Sequence, residues 1–185
     1  MMTPSARCLL PKFSCQSADF RSNERMERKL LDQIDRRILS VMQDDASISQ
    51  RQLAERVNLS HNACWRRLQR LQADGVIRGQ TATLDRNLLG LELVVFTMVR
   101  TRHHSTEWLE LFRRHVLAIP EVIDFFRIGG DYDYMIKIVT PNMASFDHIY
   151  QRLISEVELD SVTSYFAMEA IAEQRPYPLG HALAR

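Results

Sequence analysis

Apolar residues recur at steps of three and four along the first half of the chain. From Leu30 onward they form one stripe of an amphipathic helix, and the acidic pair at residues 44–45 ends the pattern. Ser49 then lies three residues before Gln52, which is the spacing of a capping box at a helix N-terminus. The pattern therefore predicts two consecutive helices before residue 58.

A third helix is predicted to follow Ser60, whose hydroxyl group is placed to cap it. Cys64, Leu68 and Leu71 fall on one face of this helix, and we expect them to be buried. Trp65 lies beside that face. It is therefore expected in the core, although an indole ring can also serve as a stacking platform for a base.

A small hairpin is predicted immediately after the third helix. Gly75 supplies the left-handed residue that commonly ends a helix. Residues 76–84 then alternate apolar and polar side chains around a turn near Gly79. Three helices followed by a hairpin describe a winged helix-turn-helix domain, which we assign to residues 26–84.

The second half of the chain alternates between strand-like and helix-like patterns. The order is strand, helix, strand, strand, helix, strand, at residues 91–101, 106–116, 122–128, 132–139, 144–154 and 162–171. This order predicts an α+β, ferredoxin-like βαββαβ domain over residues 91–173, with both helices on one face of an antiparallel sheet. A hinge at residues 85–90 precedes this domain, and a tail at residues 174–185 follows it.

The other face of that sheet must be covered as well. Its apolar candidates are Val95, Phe125, Met135 and Phe166. An apolar sheet face of this kind suggests a partner subunit, so the second domain is expected to build a homo-oligomer.

Residues 1–25 show no sustained periodicity and are interpreted as a disordered extension. Helical patterning begins at Met26, which is therefore a candidate for the natural start of the protein. The stretch lacks the layout of a signal peptide, and no run approaches the ~20 apolar residues of a membrane helix. Three cysteines, Cys8, Cys15 and Cys64, match no zinc or redox spacing, which fits a reducing cytoplasm.

Charge is unevenly distributed, although the net formal charge of the whole chain is only +1. Residues 28–90 carry a net charge of +4, and residues 91–185 carry a net charge of −4. A basic first half and an acidic second half indicate two tasks, one of which involves a polyanion.

Polar side chains on the outer face of the third helix are suited to DNA. In a helix-turn-helix the N-terminal end of this helix meets base edges, where Asn and Gln can pair with adenine and Arg with guanine. The candidates for base contacts are His61, Asn62, Arg66 and Gln69, and those for phosphate contacts are Arg67, Arg70 and Arg78. A solvated amphipathic helix is the alternative for an isolated segment, but the complete three-helix unit favours DNA binding.

The stretch GGDYDY at residues 129–134 is the second candidate site. Its two glycines permit positive φ angles and leave backbone N–H groups open to a carboxylate. Asp131 and Asp133 can accept hydrogen bonds from an ammonium group, so the loop suits a zwitterionic amino acid. The alternative is a glycine-rich hairpin with solubilising aspartates.

The sequence contains no convincing catalytic or metal-binding set. His103 and His104 are adjacent on an extended segment and so point to opposite faces, which is poor geometry for one metal ion. Walker loops, dinucleotide fingerprints and Ser/His/Asp arrangements are also missing. We therefore expect neither a cofactor nor enzymatic activity.

Both halves resemble the Lrp/AsnC family of bacterial transcription regulators, also called feast/famine regulators. In the DNA-binding half the likeness is carried by LDQIDRRILSVMQDDASISQRQLAERVNLS and CWRRLQRLQADGVIRGQTATLD. In the effector-sensing half, a RAM or ACT-like domain in that family, it is carried by GGDYDY and the elements around it. TRHHSTEW and VTSYFAMEAI are especially similar to a cysteine-responsive, DecR-like branch. The extension at residues 1–25 departs from the family's pattern.

This resemblance implies a regulator of double-stranded DNA that forms homodimers through its second domain and assembles into tetramers or octamers. It implies a recognition helix over residues 60–70, with Ser60 at its start. It also implies an amino-acid pocket between dimers, formed by Gly130, Asp131, Tyr132 and Asp133, with Ser164 as a further candidate. Cysteine is the first effector to test. The rival interpretation is an Lrp-like sirohaem decarboxylase, which would use His103, His104 and Arg127.

Overall fold

The structure is a computed structural model that describes residues 31–181. It divides into two compact units: residues 31–79 with residues 176–181, and residues 80–175. The extension at residues 1–25, the start at Met26 and the cysteines Cys8 and Cys15 lie outside the described residues. Among the described helices, none is long and apolar enough to cross a membrane.

The first unit contains three α-helices, each begun by a polar N-cap, and a short 3-10 helix at Leu179–His181. The α-helices are α1 (Gln33–Asp44), α2 (Gln50–Arg56) and α3 (His61–Ala73). The capping box of Ser49 with Gln52 and the cap of Ser60 on α3 are both confirmed. The apolar stripe from Leu30 suggested an earlier start for α1, but Asp32 is its N-cap and therefore sets the first helical residue at Gln33.

A single apolar core holds these helices together. The turn between α2 and α3 has Asn58 at φ 56°, and Gly75 follows α3 at φ 72°, the left-handed conformation that the sequence predicted there. The buried members of the core are Ile38, Leu39, Leu53, Ala54, Val57, Cys64, Leu68 and Leu71. The predicted inward face of α3 is thereby confirmed.

The hairpin predicted at residues 76–84 is wrong, because these residues form no strand in the structure. Ile77 packs against the helical core, whereas Val76 and Leu84 are exposed. A two-stranded ribbon is marginally stable unless one of its faces packs on something. The sequence does alternate apolar and polar residues here, but most of these side chains have no apolar surface to pack against, so no hairpin forms.

The chain returns to the first unit after residue 175. Leu179 packs against the helical core, and residues 176–181 belong to this unit rather than forming a separate tail. The side-chain amide of Gln43 on α1 donates to the backbone oxygen of Tyr177 (3.3 Å) and accepts from its backbone nitrogen (2.7 Å). The boundary between the units also falls after Gly79, five residues earlier than the sequence interpretation placed it.

The second unit has the predicted βαββαβ order and so confirms the fold class. Its elements are β1 (Leu93–Arg100), α4 (Thr106–Leu117), β2 (Val122–Arg127), β3 (Tyr134–Thr140), α5 (Met143–Ser155) and β4 (Ser161–Phe166). The four strands form one antiparallel sheet in the order β2-β3-β1-β4. The last strand ends at Phe166 rather than at residue 171.

One face of the sheet packs on the helices and forms the second core. Its buried side chains are Val95, Val99, Phe112, Val116, Ile119, Tyr134, Ile136, Ile138, Phe146, Ile149, Leu153 and Val157. Aromatic rings fill its centre: those of Phe112 and Tyr134 meet edge to face, with centroids 5.1 Å apart.

The opposite face of the sheet does not pack on either helix, and we call it the open face. Glu173 covers part of it through its hydrogen bond with Lys137. The strand register places Phe96, Met98, Phe126, Met135, Lys137, Thr163 and Tyr165 on it. Three of the four side chains predicted for this face were assigned wrongly: Val95, Phe125 and Phe166 point toward the helices, and only Met135 is correct. β1 is apolar on both faces and β2 carries a bulge between Val122 and Asp124, so alternation alone could not fix which face each residue takes.

Candidate DNA-binding surface and effector loop

The outer face of α3 is exposed because its inner face is fixed in the core. Cys64, Leu68 and Leu71 are buried, and this orients the remaining positions toward solvent. The exposed side chains include His61, Asn62, Trp65, Arg66, Gln69 and Arg70. All four side chains predicted for base contacts therefore lie on one accessible surface.

Arg66 is exposed and forms no hydrogen bond or ion pair with the described part of the chain. It lines a depression of about 400 Å³ together with Leu59, Ala63, Arg67 and Arg70. Arg78, beyond the end of α3, is likewise exposed. An unpaired guanidinium keeps all of its five N–H donors for a base or a phosphate.

Arg67 and Arg70 are instead bonded to carboxylates of the first helical segment. The Nη1 atom of Arg67 donates to Asp32 Oδ2 (2.5 Å) and to Asp35 Oδ1 (2.9 Å). Arg70 donates from Nη2 to the second oxygen of Asp35. The sequence interpretation assigned both arginines to phosphates and missed these partners, which lie more than thirty residues away along the chain.

The protonation of this cluster follows from its contacts. Burial pushes the pKa of Asp32 upward, but hydrogen bonds from the Asp35 backbone and from Arg67 outweigh it and bring the pKa below its ordinary value. The pKa of Arg67 is raised, chiefly by its hydrogen bond to Asp32. The Asp32–Arg67 pair is therefore ionised at neutral pH.

Trp65 is 41% exposed, so its predicted place in the core is wrong. In a helix each residue is turned about 100° from the last, and Trp65 thus lies on the shoulder of α3 rather than on its buried face. Cys64 is buried as expected, and burial raises the pKa of its thiol. A high pKa disfavours the reactive thiolate.

The loop at residues 128–133 joins β2 to β3, and we call it the effector loop after the role that the sequence predicts for it. Its base is closed by a hydrogen bond from the backbone nitrogen of Ile128 to the backbone oxygen of Asp133 (2.9 Å). Gly130 has φ 125°, a conformation that favours glycine. The side chain of Asp131 is exposed, and it has no hydrogen-bond or ion-pair partner within residues 31–181.

Asp133 has a structural role that the sequence did not reveal. One of its carboxylate oxygens accepts from the backbone nitrogen of Thr101 (2.8 Å), and its own backbone nitrogen donates to Val99 (2.9 Å). These bonds fix the loop to the end of β1. Only the remaining carboxylate oxygen has no partner among the described residues.

Tyr132 connects the loop to β4. Its hydroxyl group donates to Thr163 Oγ1 (3.4 Å), and hydrogen bonds with Thr163 and then with Tyr165 lower the pKa of Tyr132. Ser164 is not part of this group, because it pairs with the buried Thr97 on the helix-facing side of the sheet (3.2 Å). The structure thus brings Gly130, Asp131, Tyr132 and Asp133 together in one loop and places Ser164 on the other face.

The histidines considered for a rival chemistry lie just after β1. His103 Nε2 is 3.5 Å from a carboxylate oxygen of Glu158. Within residues 31–181, no group of three or more His, Cys, Asp or Glu side chains is placed to hold a metal ion. Arg127 is exposed at the end of β2.

A pocket of about 850 Å³ in the second unit was not expected from the sequence. Arg86, Lys137 and Glu173 meet in its wall, where Glu173 accepts from Lys137 (2.9 Å) and from Arg86 (3.0 Å). These two bonds lower the pKa of Glu173. No local signal could have indicated this cluster, since its members are between 36 and 87 residues apart.

The sequence matches two family models. A model described as the Lrp/AsnC ligand binding domain matches residues 94–177, and one described as winged helix-turn-helix DNA-binding matches residues 31–78. The chain is 42% identical over 151 residues to the DNA-binding transcriptional activator DecR of Escherichia coli strain K12, which covers 81% of this chain and 99% of DecR.

Solved structures agree with this assignment. An AsnC family transcriptional regulator from Agrobacterium tumefaciens has 41% identity and a TM-score of 0.80, and the match covers 83% of this chain and all of that one. A Neisseria meningitidis transcriptional regulator in complex with L-Met has 32% identity and a TM-score of 0.78, over 83% of this chain and 99% of its own. The chain belongs to the Lrp/AsnC family of DNA-binding transcriptional regulators.

Proposed function

We propose that this protein regulates transcription by binding specific DNA sequences through the outer face of α3. The observation that carries the proposal is the exposed, unpaired guanidinium of Arg66, which lies on one surface with His61, Asn62 and Gln69. Arg66 is suited to the acceptors of guanine in the major groove, and Asn62 and Gln69 are suited to adenine. Arg70 and Arg78 supply phosphate contacts, and Ser60 supports the helix terminus at which the bases are read.

The effector loop binds a small amino acid in this proposal. Backbone N–H groups around Gly130 receive the carboxylate, and Asp131 with the free oxygen of Asp133 receives the ammonium group. The structure of the Neisseria relative in complex with L-Met supports a small amino acid as the ligand. Cysteine is the first candidate because of the similarity to DecR, and the ligand acts through a difference in its affinity for two states of the protein.

A homodimer forms through the open face, and dimers associate further into tetramers or octamers. Apolar side chains that protrude from this face support the dimer. The two recognition helices of a dimer would bind half-sites about one helical turn of DNA apart, or a multiple of it. The protein acts where chromosomal DNA is found, in the cytoplasm. It acts as a regulator and not as a sirohaem decarboxylase, since its arginine-rich α3 retains the residues for DNA.

Selection of genomic fragments with the purified protein tests this function directly. Wild-type protein should enrich a defined set of duplexes, and Arg66→Ala should lose about 1–3 kcal/mol of binding energy on them while discriminating less between base variants. Arg114→Ala removes one positive charge at an exposed position of α4, in the second unit, and serves as the matched control. Equal preference of wild type and Arg66→Ala across all base variants would exclude base reading by Arg66.

The same selection carried out with and without L-cysteine tests the effector. We expect cysteine to change the recovered fragments or the affinity for them, and also to raise the melting temperature of the protein. Asp131→Asn should weaken both responses and leave DNA binding without cysteine unchanged. A panel of other amino acids run in parallel identifies the ligand if cysteine produces no response.

A further inference from the structure

Asp35 is the most completely buried charged side chain of the first unit. It is only 1% exposed, although it lies in the first turn of α1. Three donors satisfy its carboxylate: Arg67 at one oxygen (2.9 Å), and Arg70 and the backbone nitrogen of Asp32 (3.2 Å) at the other. A buried carboxylate is tolerated only with such partners.

The two arginines are held to different degrees. Arg67 is 27% exposed and uses Nη1 for two carboxylates, those of Asp32 and Asp35. Arg70 is 49% exposed and gives only one of its N–H groups to Asp35. A guanidinium has five donors in a rigid plane, so Arg70 still presents most of its donors to solvent in one fixed orientation.

This arrangement also reduces the positive charge that α3 presents. Its three arginines are Arg66, Arg67 and Arg70, and two of them have carboxylate counter-ions inside the protein. Sequence-independent binding to DNA grows with the number of phosphates that cations neutralise. Internal neutralisation therefore weakens non-specific binding, while the fixed plane of Arg70 favours contact with one phosphate position.

We propose that Asp35 is a positioning residue for DNA recognition, which fixes Arg70 toward a single phosphate and keeps Arg67 out of contact with DNA. This inference rests on the proposed function, and it revises the sequence interpretation in which Arg67 and Arg70 contact phosphates alike. Asp35 touches no DNA itself. It acts on specificity through the two side chains that it binds.

Asp35→Asn tests the proposal because it keeps the shape of the side chain and removes its charge. The duplex selected by the wild-type protein and a scrambled duplex of equal length are each titrated at several salt concentrations. The variant should bind scrambled DNA about tenfold more tightly, because Arg67 keeps only the half-exposed carboxylate of Asp32 as a counter-ion and can neutralise one more phosphate. The slope of log affinity against log salt should become steeper by about one unit.

Asp44→Asn is the matched control, since it makes the same charge change at an exposed position of α1. It should leave both the slope and the ratio of selected to scrambled affinity near the wild-type values. Loss of folded protein lowers the active fraction on both duplexes equally and does not change the slope, so a purely structural role of Asp35 is distinguishable. An unchanged slope and ratio in Asp35→Asn would overturn the proposal.

A second pair of variants tests the same idea without removing Asp35. Arg70→Gln should make the slope shallower by about one unit, whereas Arg67→Gln should leave it unchanged. Equal reductions in both variants would show that Arg67 contacts phosphate and would contradict the proposal. Failure of wild-type protein to prefer its selected duplex over scrambled DNA would instead refute the proposed function itself.

Discussion

The effector loop contains two adjacent glycines that differ in only one respect. A Cβ atom added to either Gly129 or Gly130 would meet nothing within 4 Å. Only Gly130 has a positive φ, at 125°. Any difference between alanine substitutions at these two positions therefore reports backbone conformation rather than space.

We expect Gly130→Ala to lower the free energy of unfolding of the second unit by about 1–3 kcal/mol, because alanine is strained at this φ. Gly129→Ala is the control and should change stability by less than about 1 kcal/mol, since a compatible alanine mainly restricts the unfolded chain. Urea denaturation followed by circular dichroism measures both. Equal effects of the two substitutions would show that the loop can change its backbone conformation at little cost.

Residues that act locally were predictable, and residues that act over distance were not. The caps at Ser49 and Ser60 and the left-handed Gly75 are set by neighbours within four positions, so the sequence contains their whole explanation. Contacts of Arg67 with Asp35 and of Asp133 with Thr101 depend on the tertiary fold. An arginine on a helix surface looks the same in sequence whether it faces a carboxylate or solvent.

At the scale of elements, the order of helices and strands was predictable, but the orientation of strands was not. Hydrophobic periodicity identifies an amphipathic element only when one face is polar. β1 (Leu93–Arg100) has apolar residues on both faces, and the assignment of Val95 to the open face was therefore wrong. The opposite error occurred at residues 76–84. Apolar and polar residues alternate there and predicted a hairpin, but the segment forms no strand.

The packing of residues 176–181, which follow β4, could not be predicted from the sequence. The sequence interpretation placed residues 176–181 in a tail, yet Leu179 packs on the helical core and Gln43 forms two hydrogen bonds with Tyr177. Two backbone groups of the segment thereby gain a partner on α1. The segment thus contributes to the stability of the DNA-binding unit.

Gln43→Ala should lower the free energy of unfolding of the first unit by about 1 kcal/mol, because two solvent-exposed hydrogen bonds are lost. Gln33→Ala provides a control at an exposed position of the same helix. Hydrogen exchange of amides in α1–α3, measured by mass spectrometry, reports this unit separately. Removal of residues 176–185 should increase exchange further. Identical exchange in the wild type, in Gln43→Ala and in the truncated protein would show that the segment does not stabilise the helices.

At the scale of the whole molecule, the open face is the surface through which we propose that the subunits associate. Phe126, Met135 and Met98 form one continuous row across three strands, ending at Thr163 on β4. The next row contains Phe96 and Tyr165. Phe126 and Tyr165 are exposed, and Phe96, Met98 and Met135 are half-buried. Exposed aromatic side chains on a sheet face are typical of a subunit interface, and a two-fold axis would bring two such rows together.

Phe126→Glu should therefore dissociate the dimer. Phe126 is 48% exposed in the single subunit, so glutamate is tolerated there by the folded protomer. In the dimer the same carboxylate would be buried without a partner, a penalty of about 3 kcal/mol or more that corresponds to a rise of at least about a hundredfold in the dissociation constant. Leu117→Glu, at a 62% exposed position on α4 away from the open face, is the control and should keep the wild-type assembly. Sedimentation velocity over a range of concentrations measures both, and an unchanged sedimentation coefficient for Phe126→Glu at every concentration would place the dimer interface elsewhere.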